Sequence, residues 1–464
     1  MTAERTEERP TTPEAIKKDL ERRGIEHVKV GGFDIDGVLR GKYVSLSKFL
    51  SVVEGGFGFC DVIFGWDVDD LLYMDAHDEG AVTGWHSGYP DAHATIDLST
   101  YRILPWEPKT AAFLVDFSRA DGGEHPACPR SLLKKLIKRL ADRGMTAKFA
   151  TEFEFWLFKE DAHSVREKGY RNLKPITPGM FGYSWLRGGQ NNELVHAILN
   201  ECKAFDIEIE ALHTETGPGV FECALKYDDV LRAADKAALF KTVLKQICTR
   251  FGIIPTFMAK WNAELPGSSG HLHQSIWNAK GENVLYDPNG DAKLSTLAKQ
   301  YIAGMVALAP DLTAVYAPTV NAYKRYVPGV WAPLTASWGV ENRTTAIRVI
   351  PGSASSTRIE YRQTAADINP YTAMASCLAS GLYGVEKGLT PPPVASGDAS
   401  SGKELRALPR SLTEATTLLD ESKGARAVLG DGFVDHYVRT RRHEVARFER
   451  AVTSWELERY FEII

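Results

Sequence analysis

The run Thr151-Glu152-Phe153-Glu154-Phe155-Trp156 decides how this chain is read. Its alternation of acids and aromatics predicts a β-strand, expected over Lys148 to Phe158, in which residues i and i+2 share a face about 7 Å apart. Glu152 and Glu154 then project together while the large apolar side chains face the other way. Two carboxylates among aromatics are costly unless a positive group sits between them. A hard dication bound through oxygen is the natural partner. A solvated strand face with Lys or Arg opposite satisfies the same pattern.

Three further runs bear on the choice. Ile207-Glu208-Ile209-Glu210-Ala211-Leu212-His213-Thr214-Glu215 is followed by Thr216-Gly217-Pro218-Gly219 and then Val220-Phe221-Glu222. The glycines and proline predict a turn between two strands, from whose arms Glu215 and Glu222 converge. An exposed hairpin with scattered acids is the plainer reading. In Gly267-Ser268-Ser269-Gly270-His271-Leu272-His273-Gln274-Ser275-Ile276-Trp277, alternation puts His271, His273 and Ser275 on one face behind a Gly/Ser loop. One imidazole suits a metal and the other a phosphate. Lys324-Arg325, Arg343, Arg348, Arg358 and Arg362 form a basic set, with Glu360 between the last two on one strand face. Such a ladder is worth little on a surface. Guanidinium groups are also the usual clamp for carboxylate and phosphate, and with acidic metal ligands they suit phosphoryl transfer.

Around these runs, helices are expected near 190–204, 227–251 and 293–309, and strands at 207–212, 221–225, 270–277, 344–350 and 358–362. A helix capped by Ser131 presents Leu132, Leu133, Leu136, Ile137 and Leu140 on one face and stops near Gly144. The pattern predicts an α+β or mixed α/β fold, and α+β is the class expected. Nearer the start, a helix from Pro13 to about Arg23 precedes strand-like runs at His27–Phe33 and Ala112–Val115, with an irregular Gly-, Asp- and Trp-dense stretch between them. Pro105-Trp106-Glu107-Pro108 reads as a junction. The division expected is a tail over 1–13, a small strand-built domain over 14–115 and a large domain over 116–464. Pro391 to Gly402 reads as a surface loop, and Asp435 to Tyr460 as charged amphipathic helix.

Composition narrows the function. The chain has 464 residues, 44 % hydrophobic and 25 % charged, which excludes disorder of the whole. Its 55 basic and 60 acidic residues give a net charge of −5, a poor balance for a nucleic-acid binder. Six cysteines without a C-x-x-C pair argue against a zinc ribbon and for a reducing compartment. Met1 to Glu14 has no apolar h-region, and Tyr371–Val385 is too short and polar to span a bilayer. A cytoplasmic protein without a membrane partner is expected.

The four runs in this order resemble the glutamine synthetase family. Ala322-Tyr323-Lys324-Arg325 with Val327-Pro328-Gly329, Asn342-Arg343 with Ile347-Arg348, and Arg358-Ile359-Glu360-x-Arg362 before Asn369-Pro370-Tyr371 match as well. The likeness spans about residues 25–463. It implies an N-terminal β-grasp domain, a large catalytic domain, and a dodecamer of two hexameric rings with active sites between neighbouring subunits. It also implies Mg²⁺ or Mn²⁺, two or more per site, with ATP as co-substrate. Glu154, Glu215 and Glu222 would hold one metal, and Glu152, His271 and Glu360 the other. Glu210, His273, Ser275, Arg348 and Arg358 match nucleotide-binding positions. Gly267, Arg325 and Arg362 match positions that hold glutamate, and Arg343 a phosphate-clamping one. Arg325, Arg343 and Arg362 are then the catalytic cations. The chemistry implied is conversion of a glutamate γ-carboxylate to γ-glutamyl phosphate, then displacement of phosphate by a nitrogen nucleophile.

Two departures bear on that nucleophile. Ammonia-using members carry a Glu six residues after the Arg of the Tyr-Lys-Arg run, where this chain has Trp331. They also carry an Asp-Gly-Ser-Ser run, where this chain reads Cys60-Asp61-Val62-Ile63-Phe64-Gly65-Trp66-Asp67-Val68-Asp69-Asp70. Trp331, with Phe64 and Trp66 near it, suggests an apolar wall for an organic amine, with Asp61, Asp67, Asp69 or Asp70 as base. A base or desolvating site is needed because neutralising an alkylammonium at pH 7 costs about 4–5 kcal/mol. The expected product is a γ-glutamylamide, and a monoamine with an apolar or aryl group fits best. Glutamine synthetase itself and a catalytically silent assembly or regulatory protein are the alternatives. No Tyr lies between Tyr383 and Tyr437, so control by adenylylation of a Tyr in that loop is not expected.

Overall fold

A computed structural model describes residues 10–74, 77–119, 121–402 and 404–464. Residues 1–9 of the expected tail lie outside the described residues. Thr12 caps the first helix, Pro13–Arg22, its hydroxyl accepting from the Ala15 amide at 3.3 Å, and Pro13 occupies the first turn, where no N–H is needed. The small sheet contains β1 (His27–Phe33), β2 (Leu39–Ser45), β3 (Phe57–Cys60), β4 (Asp91–Ile103) and β5 (Thr110–Ser118) in the order β2-β1-β5-β4-β3. β1 and β5 run parallel and the other pairs antiparallel, a mixed sheet in keeping with the β-grasp expectation. Ile16 and Leu20 of the helix pack with Val28, Val30, Phe49, Phe113 and Phe117 as its core.

Three expectations are corrected in this region. The stretch read as irregular holds β2, β3 and most of β4. β2 is an edge strand with mixed exposure, and the β4–β5 register shifts between Asp97 and Arg102, so neither shows a clean period-two pattern. Pro105–Pro108 is no junction but lies in the connection between the paired strands β4 and β5, which ends on Lys109 in the left-handed region (φ 55°). The helix expected to be capped by Ser131 starts at Pro129, where proline's fixed φ suits the first turn.

The large sheet is built from β6 (Met145–Phe158), β7 (Ile209–Thr214), β8 (Val220–Leu225), β9 (Asp228–Asp229), β10 (Ile254–Thr256), β11 (Gly270–Asn278), β12 (Trp338–Val340), β13 (Ile347–Ile350) and β14 (Arg358–Tyr361). Its order is β12-β13-β14-β11-β6-β8-β7, with β9 and β10 also pairing to β6. The helices Pro129–Ala141 and Val230–Thr249 pack against β6. On that side Phe153 and Phe155 sit among Phe240 and Phe257, with ring centroids 5.5–6.3 Å apart. Alternation therefore leaves Glu152 and Glu154 on the other, uncovered face. Helices and strands interleave along the large domain around a largely antiparallel sheet, a mixed helix-and-sheet architecture.

The helix Asp431–Arg450 ties the small-sheet region to the large domain, where its Tyr437 and Arg441 donate to the Ala314 and Pro318 carbonyls. Arg441, 3 % exposed, pairs with Asp36 of the β1–β2 turn. His443 accepts from the Met74 amide through Nδ1 at 3.2 Å, which leaves Nε2 as the donor to Asp67 at 3.0 Å. No helix among the described residues is long and apolar enough to cross a membrane.

Candidate active site

Register does most of the assembly. Glu152 of β6 lies opposite His271 of β11, and Glu154 opposite Glu222 of β8. β14 places Glu360 beside His273 and, on its other side, Arg348 of β13. Glu215 is drawn back to the hairpin by its amide, which donates to the Val220 carbonyl at 3.0 Å. The result is a cavity of about 610 Å³ on the open face of the sheet.

Twelve of the residues singled out in the sequence line it: Glu152, Glu154, Glu215, Glu222, Gly267, His271, Arg325, Trp331, Arg343, Arg348, Glu360 and Arg362. A second cavity, of about 310 Å³, is lined by Glu210, His273, Ser275 and Arg358, and Glu152 borders both. Arg348 was grouped with this second set but lies in the first cavity, because β13 points it at Glu360 (3.0 Å) and its other side pairs with Glu341.

The acids divide into two electrostatic environments. Glu154, Glu215 and Glu222 face one another without an Arg or Lys ion pair among the described residues. Burial, then the charge of Glu222, pushes the Glu154 carboxyl up to about 7, although the Ser269 amide donates to it at 2.7 Å. The imidazole of His213, 3.2 Å from Glu222, and the more distant Arg325 offer countercharge. Burial and Coulomb repulsion thus make this trio a poor place for three carboxylates and a good one for a dication. The second group is compensated. Burial raises the Glu360 carboxyl, but His271 and Arg362 outweigh it and hold it at about 2. Glu152 is likewise held well below the usual range, by His271 and His273 against its burial.

The two histidines differ in their partners. His273 Nδ1 accepts from Arg358 Nε at 3.3 Å, so its Nε2, 3.1 Å from Glu152, carries the proton. His271 turns Nδ1 toward Glu152 (3.7 Å) and Glu360 (3.4 Å). Burial, then Arg362, pushes its pKa down and so favours the neutral ring that a metal ligand requires. Ligand atoms of Glu152, His273 and Glu360 also cluster within 4.8 Å, but the Arg358 hydrogen bond leaves His271 the better donor.

The cations are positioned by backbone. Arg325, 5 % exposed, donates to the carbonyls of Gln363 (3.0 Å) and Arg362 (3.2 Å), and has no ion pair among the described residues. Arg362 binds Glu360 and the Arg343 carbonyl. Asn342 anchors the neighbouring loop through the Gly397 carbonyl at 2.9 Å and presents the exposed Arg343 to the cavity. Trp331 lies at the mouth, 70 % exposed, beside Gly329 and Val330.

Two expectations fail in this subunit. Phe64 is fully buried in the small domain, 5.4 Å from the Phe117 ring, and Trp66 lies under Arg40; neither lines the cavity with Trp331. Of the four aspartates offered as base, Asp61 holds Thr83, Asp67 holds two backbone amides and His443, and Asp70 pairs with Arg40. Asp69 alone of the four is exposed without a side-chain bond among the described residues.

Other lining residues were missed. Trp277 follows His271, His273 and Ser275 by the same alternation, and its indole donates to Ser275 Oγ at 2.8 Å, so strand periodicity predicts it. Lys148 sits four residues before Glu152 on the same face, its ammonium 4.8 Å from the Trp277 ring and 5.6 Å from the Tyr227 ring. Tyr183 stacks on His213 at 4.2 Å from a loop with no periodicity, and no local pattern marks it.

Comparison with known proteins agrees with this geometry. Residues 126–460 match the family model described as glutamine synthetase, catalytic domain. A protein named type-1 glutamine synthetase 2, from Dictyostelium discoideum, is 46 % identical over 94 % of this chain and 84 % of its own length. One named glutamate–isopropylamine ligase, from a Pseudomonas species, is 38 % identical over 97 % of this chain and 98 % of its own. The solved structure titled apo GmaS without ligand superposes with a TM-score of 0.84 at 27 % identity, covering 96 % of this chain and 99 % of that one.

Proposed function

This chain belongs to the glutamine synthetase family, an ATP-dependent glutamate ligase by its relatives, and we propose that it joins the glutamate γ-carboxylate to an organic monoamine rather than to ammonium. The observation that carries the choice is Trp331, an indole at the cavity mouth where an anion would be needed to attract a small cation.

In this reading Glu154, Glu215 and Glu222 hold one divalent ion and Glu152, His271 and Glu360 the other. The donor set fits, since the mutual repulsion around Glu154 calls for positive charge. Bound there, Mg²⁺ or Mn²⁺ supplies neutralisation of the ATP phosphates. Glu210, His273, Ser275 and Arg358 receive the nucleotide, the imidazole of His273 held in place by Arg358, while Arg348 stays with Glu360 in the acidic cavity. Arg325 and Arg362, with the bare backbone of Gly267, receive glutamate. Its γ-carboxylate oxygen attacks the γ-phosphorus, the bond to ADP breaks, and Arg343 neutralises charge on the moving group. The amine nitrogen then attacks the acyl carbon, phosphate leaves, and the nitrogen gives up a proton. The division at 14–115 and 116–464, a cytoplasmic location and a homo-dodecamer of two hexameric rings belong to the same proposal.

The test is phosphate release with glutamate, ATP and Mg²⁺ against ammonium, isopropylamine, ethanolamine, aniline and a polyamine. A monoamine is expected to exceed ammonium by about tenfold or more in kcat/KM, the ~1.4 kcal/mol that one aromatic wall supplies. Ammonium leading the panel returns the chain to the activity in the name of its Dictyostelium relative. Trp331→Glu should move the ratio toward ammonium by about tenfold; an unchanged ratio removes Trp331 from the argument.

Gly267→Ala offers a further check on the glutamate subsite. A Cβ there would meet the Ala259 carbonyl oxygen at 2.7 Å and Arg325 Cγ at 2.9 Å, and backbone cannot give way cheaply. The KM for glutamate should rise about tenfold, one ~1.4 kcal/mol step, with the KM for ATP unchanged. Equal rises in both would mean a general distortion instead.

A further inference from the structure

A third cavity, of about 230 Å³, lies where the small sheet meets the large domain, away from the acidic cleft. Leu39, Leu104 and Leu114 line it from the sheet, and Leu239, Thr242 and Val243 from the helix Val230–Thr249. Trp106 and Phe205, their rings tilted against each other with centroids 5.0 Å apart, complete the lining. Its charged lining residues are Lys29, Lys42 and Arg102, and no carboxylate is among them.

Each cation is held in place. Lys29 pairs with Glu107 outside the lining and lies 4.6 Å over the Tyr43 ring. Arg102, 6 % exposed, donates to the Thr100 carbonyl at 2.7 Å and stands 3.5 Å from Asp206. Lys42 lies 5.0 and 4.7 Å over the rings of Phe57 and Phe59, with the Gly58 carbonyl 3.5 Å away. Domain interfaces normally close to the density of a core. Here an apolar space stays open, and although Glu107 and Asp206 offset Lys29 and Arg102 from outside it, the only charged groups that line it among the described residues are cations, which favours an anion. The zwitterions of the ligase reaction find no acid for their ammonium, and ATP exceeds a space below the roughly 300–1,000 Å³ of drug-sized sites.

The geometry points to a binding site at this domain junction for a small carboxylate with an apolar alkyl or aryl body. Its occupancy reaches the acidic strand through one helix. While Thr242 and Val243 face the space, Phe240 stacks on Phe153 at 6.3 Å and Lys241 Nζ lies 4.9 Å over the same ring. Phe153 sits between Glu152 and Glu154, so a ligand that fixes the helix against the small sheet bears on the strand that carries both acids.

The test is calorimetric titration of the intact protein, without ATP or metal, with phenylacetate, 2-phenylethanol and benzyltrimethylammonium. These share an aryl body and differ in charge. Phenylacetate is expected to bind saturably, the alcohol about tenfold or more weaker, and the cation not at all. Amide exchange should slow at residues 39–43 and 239–246. Thr242→Trp, which puts an indole into the space, should remove both signals, and Val243→Phe serves if that variant does not fold. Equal binding of all three compounds, phenylacetate binding unchanged in the folded variants, protection at 267–271 instead, or no saturable binding would each overturn the proposal. Because none of these readouts requires turnover, the result stands apart from the identity of the amine.

Discussion

Replacing Glu360 by Ala should abolish turnover and cost about 3–5 kcal/mol of stability, the penalty for breaking a buried ion pair by removing one partner. Glu360 is 1 % exposed and holds three groups: Arg348 at 3.0 Å, Arg362, and His271 at 3.4 Å. Its carboxyl sits at about 2, so it is ionised throughout the neutral range. Without it Arg348 keeps Glu341, but Arg362 keeps only the Arg343 carbonyl and becomes a buried cation without an anion. Glu360→Gln separates the two effects. The amide preserves shape and still accepts from both guanidiniums, so most of the stability should return. The charge that draws a dication does not, and activity should stay down by at least about 10²-fold, with Mg²⁺ affinity falling in step. Thermal melts, kinetics and metal titration on both variants make the measurement. A Gln variant with near-native turnover would take Glu360 out of the metal set.

How much of this was legible depended on whether the chemistry sat on regular strands. Glu152, Glu154, His271, Glu360 and Arg362 obey period two, and the register of β6, β11 and β14 does the rest. The hairpin around Pro218 brought Glu215 and Glu222 in as expected, because Gly and Pro announce such turns. Sequence was weaker where tertiary contacts override pattern. Phe64 and Trp66 look like exposed aromatics near a departed motif, yet Phe64 fills the small core. Asp67 looks like a free base, yet it accepts the amides of Asp69 and Leu71 and the imidazole of His443, which lies 376 positions away. No local rule reaches that far. Tyr183 comes from a loop whose backbone N–H at Tyr183 donates a hydrogen bond to the Thr214 carbonyl at 2.7 Å, and only the folded hairpin makes that site.

Arg325 should behave in the opposite way to Glu360. Both are buried charges in one cavity, but Glu360 is held in close ion pairs, whereas Arg325 donates to two carbonyl oxygens, meets the like charge of Arg362, and has Glu154 and Asp367 as countercharges without a close ion pair among the described residues. Burial pushes its guanidinium pKa down, the mark of a charge the fold does not fully compensate. The resting protein therefore carries an electrostatic debt that a bound carboxylate settles. Arg325→Met removes that cation and leaves an apolar chain of similar length, so stability should hold or rise, as it does when uncompensated buried charge gives way to hydrophobic packing. Glutamate binding should suffer by the roughly 2–5 kcal/mol of a truncated buried charge contact, a rise of about 30- to 5,000-fold in its KM. ATP should be indifferent, since Arg325 lines the acidic cavity and not the one with Arg358. Arg325→Lys keeps the charge but loses the planar fork, and should recover only part of the glutamate affinity. Melting curves and the two KM values decide the matter together. A glutamate KM that does not move, or a Met variant that unfolds as readily as Glu360→Ala, would mean that Arg325 holds the loop rather than the substrate.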